Sequence, residues 1–332
     1  MNPLFKCYVS TAGLAEYAKA SAIVVTGRGN RYDHAFQDAR AAGAILAQYW
    51  MTFECPDDLS SPLDQEIYFV NGKPPPLWPG RTSTGQPRVN WMGTHLLDIR
   101  PTSPYFAQIK RYARAQISSG KFDAFMLDGA GYRLWSTLAA WDTWPKWERD
   151  EWTACMLAVC RAVHEIRCEL SPAFEIYHNN VWDNYQAPGS EVGMTYANGC
   201  VGENWKHDPW HVNYVKRTFA EPFKKRVLII SPTQAIADAW KADPNVTHLT
   251  LVDKAAGQSY QSATPPIVGY EDERPPPDPC AQCKQTVREL EEQNATLRWD
   301  NQALATKNAS LAAANADLSA RMAQIHSLSE SV

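Results

Sequence analysis

The chain has 332 residues, of which 45% are hydrophobic and 20% charged, and its formal net charge is −4. This is the composition of a folded protein with room for one large core or two ordinary ones, and it excludes disorder throughout. The mild acidity and the lack of a Lys/Arg block exclude a phosphate-binding field, and no apolar run approaches the roughly 20 residues that cross a bilayer. The expected partners therefore include neither nucleic acid nor a membrane interior.

The opening residues, Met1-Asn2-Pro3-Leu4-Phe5-Lys6, show neither a basic start leading into an apolar stretch nor a small-residue cleavage site, so no secretory signal is expected. Short apolar runs then alternate with helical patterns, as in a chain of βα units. Strands are predicted at 22–26, 44–50, 95–99, 122–128, 174–178, 199–203, 227–231 and 247–252. Eight strands in about 270 residues suit one closed (β/α)8 barrel, an α/β fold. Helices are clearest at 104–118 and 149–170. In the second, Trp152, Met156, Val159, Val163, Ile166 and Leu170 recur at three- and four-residue steps before Ser171-Pro172 ends the run. A doubly wound nucleotide-binding sheet is the competing α/β reading. Gly27 and Gly29 do follow the first strand, but the third glycine of the fingerprint is absent and no acidic residue closes the second strand.

Composition changes at Glu273-Arg274-Pro275-Pro276-Pro277-Asp278-Pro279, where proline excludes helix and favours a stiff spacer. The expected domains are thus a barrel over 1–272, a linker over 273–279 and a third segment over 280–332. That last segment carries a seven-residue repeat. Leu290, Leu297, Leu304, Leu311, Leu318 and Ile325 occupy one position, and Val287, Asn294, Asn301, Asn308, Asn315 and Met322 lie three residues before them. A sustained period of seven specifies a left-handed coiled coil, and four Asn layers are best matched in parallel, in-register chains. A homo-oligomer through 280–328 is expected, dimer and trimer both remaining open. Cys280 and Cys283 fall on core positions of the same register.

In a βα barrel, reactive groups stand at the C-terminal ends of strands, where the loops line the mouth. Reading the predicted strands to their ends gives Asp98 with Arg100, Asp128, His178 with Asn179 and Asn180, and Glu203. Because side chains alternate faces, Asp123 and Asp128 cannot share the site, and Asp123 falls on the barrel floor. Asp128 and Glu203 facing each other would supply the two carboxylates of glycoside cleavage. In this reading Glu203 is the acid, held protonated by an apolar wall from Trp205, and Asp128 is the nucleophile or base. With 13 tryptophans and 14 tyrosines in the chain, aromatic residues at predicted strand ends suit the flat C–H faces of sugars. The expected substrate-binding set is Asp98, Arg100, Tyr49, Trp50, Tyr132, His178, Asn180, Trp182 and Trp205. No metal and no cofactor is expected.

The run His95-Leu-Leu-Asp98-Ile-Arg100, followed after a helix by Phe122-Asp123-Ala-Phe-Met-Leu-Asp128-Gly129, resembles the glycoside-hydrolase barrels related to endo-α-1,4-polygalactosaminidase. Asn179-Asn180 and Gly202-Glu203-Asn204 are similar to that group's later asparagine and glutamate motifs. The likeness spans roughly residues 20–255 and departs at Ala124, where the family usually has glycine. It implies a barrel hydrolase with Asp128 and Glu203 as the carboxylate pair and Asp98 as a substrate-binding or supporting residue; the expected function is cleavage of a polysaccharide. A non-catalytic glycan-binding or structural spike protein on the same barrel is the alternative. Absence of a signal, joined to an oligomerising coil, suggests by analogy a bacteriophage virion protein working outside the cell beside other virion proteins, with a cytoplasmic enzyme as the alternative.

Overall fold

The computed structural model describes residues 5–9, 22–26, 40–41, 43–90, 93–130, 133–134, 137–179, 196–216 and 225–251. The linker expected at 273–279, the coil at 280–332 with Cys280 and Cys283, and Tyr132, Asn180 and Trp182 lie outside them. The described strands are β1 (Phe5–Val9), β2 (Ile23–Thr26), β3 (Ile45–Met51), β4 (Glu54–Cys55), β5 (His95–Leu96), β6 (Ala124–Asp128), β7 (Glu175–Asn179), β8 (Gly199–Glu203), β9 (Arg226–Ser231) and β10 (His248–Leu251).

Eight of these form one parallel sheet in the order β1-β2-β3-β6-β7-β8-β9-β10. The two outermost strands, β1 and β10, approach within 8 Å between Cα atoms, so the sheet curls round towards closure. A sequential order with this curl is the arrangement of a (β/α)8 barrel, and it excludes the doubly wound sheet, whose strand order reverses at its centre.

Two expectations about strands are corrected. Of the predicted strand 95–99 only β5 forms, and it pairs antiparallel with β4 outside the barrel. Leu96, Leu97 and Ile99 are buried all the same, in the layer between sheet and helices, and a short apolar run does not say which partner buries it. The barrel's remaining strand is β1, whose Phe-Lys-Cys-Tyr-Val has too little periodicity to stand out in the sequence.

Side-chain alternation divides the sheet residues between two cores. Ile23, Val25, Ala47, Ala124, Met126, Tyr177, Val201, Leu228 and Ile230 fill the barrel interior. Val24, Leu46, Trp50, Phe125, Leu127 and Ile176 face outwards, into the layer shared with the helices. Helix α2 (Pro104–Ser119), which follows α1 (Pro62–Tyr68), starts where the Ser103 hydroxyl accepts from the Tyr105 amide. It stops at Gly120, whose φ of 64° favours glycine. Helix α3 (Lys146–Leu170) buries Trp152, Met156, Val159, Val163 and Ile166 of the stripe read from the sequence, leaves its last member, Leu170, exposed at the helix end, and ends at Ser171. Two shorter helices, α4 (Pro209–Val215) and α5 (Gln234–Lys241), follow β8 and β9 and are capped by Asp208 and Thr233. Between β6 and β7, and between β8 and β9, the parallel pairing forces each helix to run back down. Its N-terminus therefore sits at the end of the barrel where the strands finish.

Candidate active site

Asp128 is the last residue of β6 and Glu203 the last of β8, with β7 between them. Both point to the barrel side of the sheet, continuing the interior rows Ala124–Met126 and Val201. Each is followed by a residue in the left-handed region: Gly129 at φ 71° and Asn204 at φ 61°. Asparagine is among the few side chains that tolerate this conformation. These turns bend the chain away immediately after each carboxylate. They let the Gly129 amide fold back onto Asp128 Oδ1 at 2.9 Å, and they tie the Asn204 amide to the Ile230 carbonyl at 2.9 Å.

Asn179, the last residue of β7, joins the two acids. Its Nδ2 donates to Asp128 Oδ1 at 2.8 Å and to Glu203 Oε2 at 3.2 Å. Laid end to end those bonds span 6.0 Å, so the two carboxylate oxygens can be no further apart than that. With one amide hydrogen on each bond, at about 120°, the separation is about 5 Å. Asn179 is fully buried.

Asp128 has a second side-chain donor. The Tyr49 hydroxyl, from the interior face of β3, reaches Asp128 Oδ2 at 2.5 Å. Burial first, and then the negative charge of Asp128, push the Tyr49 phenol well above its ordinary pKa, so it remains a proton donor at any physiological pH. A hydrogen bond to a charged acceptor of this kind is worth roughly 1.5–3 kcal/mol. Glu54, on β4 just beyond β3, is a third carboxylate near the same place. It is buried, takes the Thr94 hydroxyl on Oε2 at 2.5 Å and adds to the field on Tyr49.

The other expected site residues that lie among the described residues, Trp50, His178, Trp205, Asp98 and Arg100, have other surroundings. Trp50 faces away from the barrel interior and packs edge-on against Tyr112 and Phe125, with ring centroids 4.8 and 5.2 Å away. His178 is fully buried on the outer face of β7. Burial, reinforced by His164 and Lys225, lowers its pKa to about 3, and its ring nitrogens have no hydrogen-bond partner among the described residues. Trp205 does not wall the acid. Its ring is buried in the outer layer beside Tyr214, against Gly202, where an added Cβ would lie 2.5 Å from Trp205 Cδ2. Asp98 and Arg100 pair with each other through two bonds of 2.8 Å, with Glu151 and Cys155 of α3 nearby, because the segment carrying them is not a barrel strand. Asp123 lies at the opposite end of the sheet, clamped by Arg40 Nε at 2.9 and 3.0 Å.

Asn179 is named at the end of its predicted strand, but the expected binding set takes its neighbours His178 and Asn180 instead. Its signal was strand parity: neighbouring residues cannot share a face, and the ladder sets His178 level with outward-facing Leu127, which leaves Asn179 facing inwards.

No known family profile matches the chain, and no curated protein matches it. Among solved structures its fold is similar to the glycoside hydrolase domain of PelA from Pseudomonas aeruginosa, with 12% identity, 75% of this chain and 93% of that one covered, and a TM-score of 0.50. A variant of that domain gives 12% identity, 76% and 94% coverage and a TM-score of 0.51. The Aspergillus fumigatus Ega3 complex with galactosamine gives 12% identity, 75% and 90% coverage and a TM-score of 0.48. At such identities the likeness to PelA is one of fold.

Proposed function

We propose that the chain is a glycoside hydrolase that cleaves a polysaccharide with retention of anomeric configuration, Asp128 acting as nucleophile and Glu203 as acid and base. The observation that carries this reading is the Asn179 amide bonded to both carboxylates, which limits the distance between the two bonded oxygens to 6.0 Å. Retaining glycosidases keep their carboxyl groups about 5–5.5 Å apart, whereas inverting enzymes need roughly 6.5–9.5 Å to admit a water. Support also comes from the fold shared with a domain named as a glycoside hydrolase.

In the first step Glu203 gives its proton to the glycosidic oxygen while an Asp128 oxygen attacks the anomeric carbon. The aglycone leaves and a glycosyl ester forms on Asp128. In the second step Glu203 takes a proton from water, which attacks the same carbon and returns Asp128 as a carboxylate. Tyr49 and Asn179 fix the rotamer of Asp128, so the attacking oxygen is oriented before substrate arrives. Reducing-end release from a panel of bacterial and fungal polysaccharides tests the reading. Wild type should cleave at least one polymer, while Asp128→Asn and Glu203→Gln should each lose about three orders of magnitude or more with the fold intact. Wild-type turnover in either variant contradicts it.

We further propose, on the heptad pattern of 280–332, that the enzyme is displayed as a parallel oligomer, and that its target is a surface glycan met outside the cell, with a virion as the carrier.

A further inference from the structure

Among the described residues four large apolar side chains are strongly exposed: Leu138 at 56%, Trp147 at 65%, Leu170 at 38% and Trp210 at 46%. Their distribution is not even. Leu170 ends α3, at the floor of the barrel. The other three lie on the connections that leave β6 and β8, the two strands that deliver Asp128 and Glu203. Trp147 and Trp210 are each the second residue of a helix, α3 and α4, and both helices begin at the end of the barrel where the carboxylates stand.

Packing accounts for neighbouring tryptophans, but it leaves Trp147 65% and Trp210 46% exposed. Trp141, Trp144 and Trp152 are buried against one another. Trp147 sits among them in sequence and points out, while Glu148 beside it turns inward to a bidentate pair with Arg88. Trp210 lies parallel to Tyr214 one turn on, with centroids 5.4 Å apart and planes 7° from parallel. That contact covers one face of the Trp210 ring and fixes its orientation. An exposed indole leaves more than a hundred square ångströms of apolar surface in water, at roughly 25 cal/mol per Å². At the end of the barrel that carries the carboxylate pair, a flat indole offers a stacking surface for the C–H face of a sugar ring.

We propose that Trp147 and Trp210 are outlying binding positions for a long glycan, one on the β6 side of the carboxylate pair and one on the β8 side. The ligand class is a polymer of pyranose rings, long enough to reach from the cleaved bond to these rims. Catalysis itself does not need them; holding a long chain does. The proposal rests on the glycosidase reading and assigns to these two side chains the preference for a polymer over its short oligosaccharides.

The test compares kcat/KM on a polymer with kcat/KM on its trisaccharide, using α-1,4-linked polygalactosamine first and then the remaining panel polysaccharides. Trp147→Ala and Trp210→Ala should each lower the polymer-to-trisaccharide ratio roughly tenfold, with a larger loss in the double variant. Trp147→Tyr and Trp210→Tyr should recover most of the loss, because a ring is retained. A ratio unchanged from wild type, or an equal loss on both substrates, overturns this proposal while leaving the glycosidase reading in place. Should wild type cleave and bind no polymer, both fall. If light scattering shows that the alanine variants lose self-association while polymer affinity is kept, the occupant is a second copy of the chain, and the proposal is likewise overturned.

Discussion

Asn179 and Asp128 stand side by side at the ends of adjacent parallel strands, their side chains 2.8 Å apart, and the same amide nitrogen continues to Glu203. One residue therefore sets the spacing on which the proposed two-step chemistry depends. Asn179→Ala removes both bonds, and Asn179→Asp replaces a shared donor with a third negative charge. Both should lower kcat/KM by at least about a hundredfold, and the aspartate variant should also move the pH profile upwards, because a carboxylate so close to two others holds their protons more tightly. Steady-state kinetics across pH, with circular dichroism as the folding control, would show this. A profile unchanged in position for Asn179→Asp contradicts the bridging role.

Tyr49→Phe keeps the ring in the barrel interior and deletes only the hydroxyl on Asp128 Oδ2. The loss should appear in kcat, at about ten- to a hundredfold, since a charge-assisted bond of roughly 1.5–3 kcal/mol is removed next to the reacting oxygen. Thermal unfolding should change little. A variant with full kcat would show that Asp128 is oriented without the phenol.

Three histidines make the fold sensitive to acid. Burial holds His178 and His248 at about 3, and His164 at about 4, against an ordinary value of 6.5. The unfolded chain thus binds more protons below pH 6.5, so stability is complete above about pH 7 and falls as pH drops towards the native values. For fully buried His178 the loss at pH 5 is about 2 kcal/mol. His178→Leu should flatten the difference between urea midpoints at pH 7 and pH 5, and an unaltered difference would contradict the assignment.

The coiled coil proposed for 280–332 predicts an independent behaviour. Leu304→Ala with Leu311→Ala should cost about 2–5 kcal/mol per buried leucine and release monomers whose barrel remains folded. Light scattering reads the mass directly, and an unchanged mass contradicts the heptad reading.

Much of the barrel could be read from the sequence, because seven of its eight strands are apolar runs of ordinary length set between helical stripes. The eighth, β1, is a five-residue strand with mixed polarity, and its place was given to 95–99, a more apolar segment that packs outside the sheet. The site divides along the same line. Asp128, Glu203 and Tyr49 end or nearly end strands, and their faces follow from alternation. His178 and Trp50 differ from Asn179 and Tyr49 by one residue, and a one-residue shift turns a side chain from mouth to outer layer. Only the ladder register resolves that choice. Trp205 and Asp98 were misplaced for another reason: aromatic or acidic character near a strand end does not reveal whether the chain has already turned outwards.

The central claim is the short carboxylate spacing and the retaining reaction that follows from it. Proton NMR of the first product released from a cleaved polymer measures the anomeric configuration before mutarotation. The account predicts the configuration of the substrate, together with an increase in protein mass located on Asp128 when turnover is stalled by a 2-fluoro glycosyl donor. The opposite anomer, with no labelled Asp128, would contradict it.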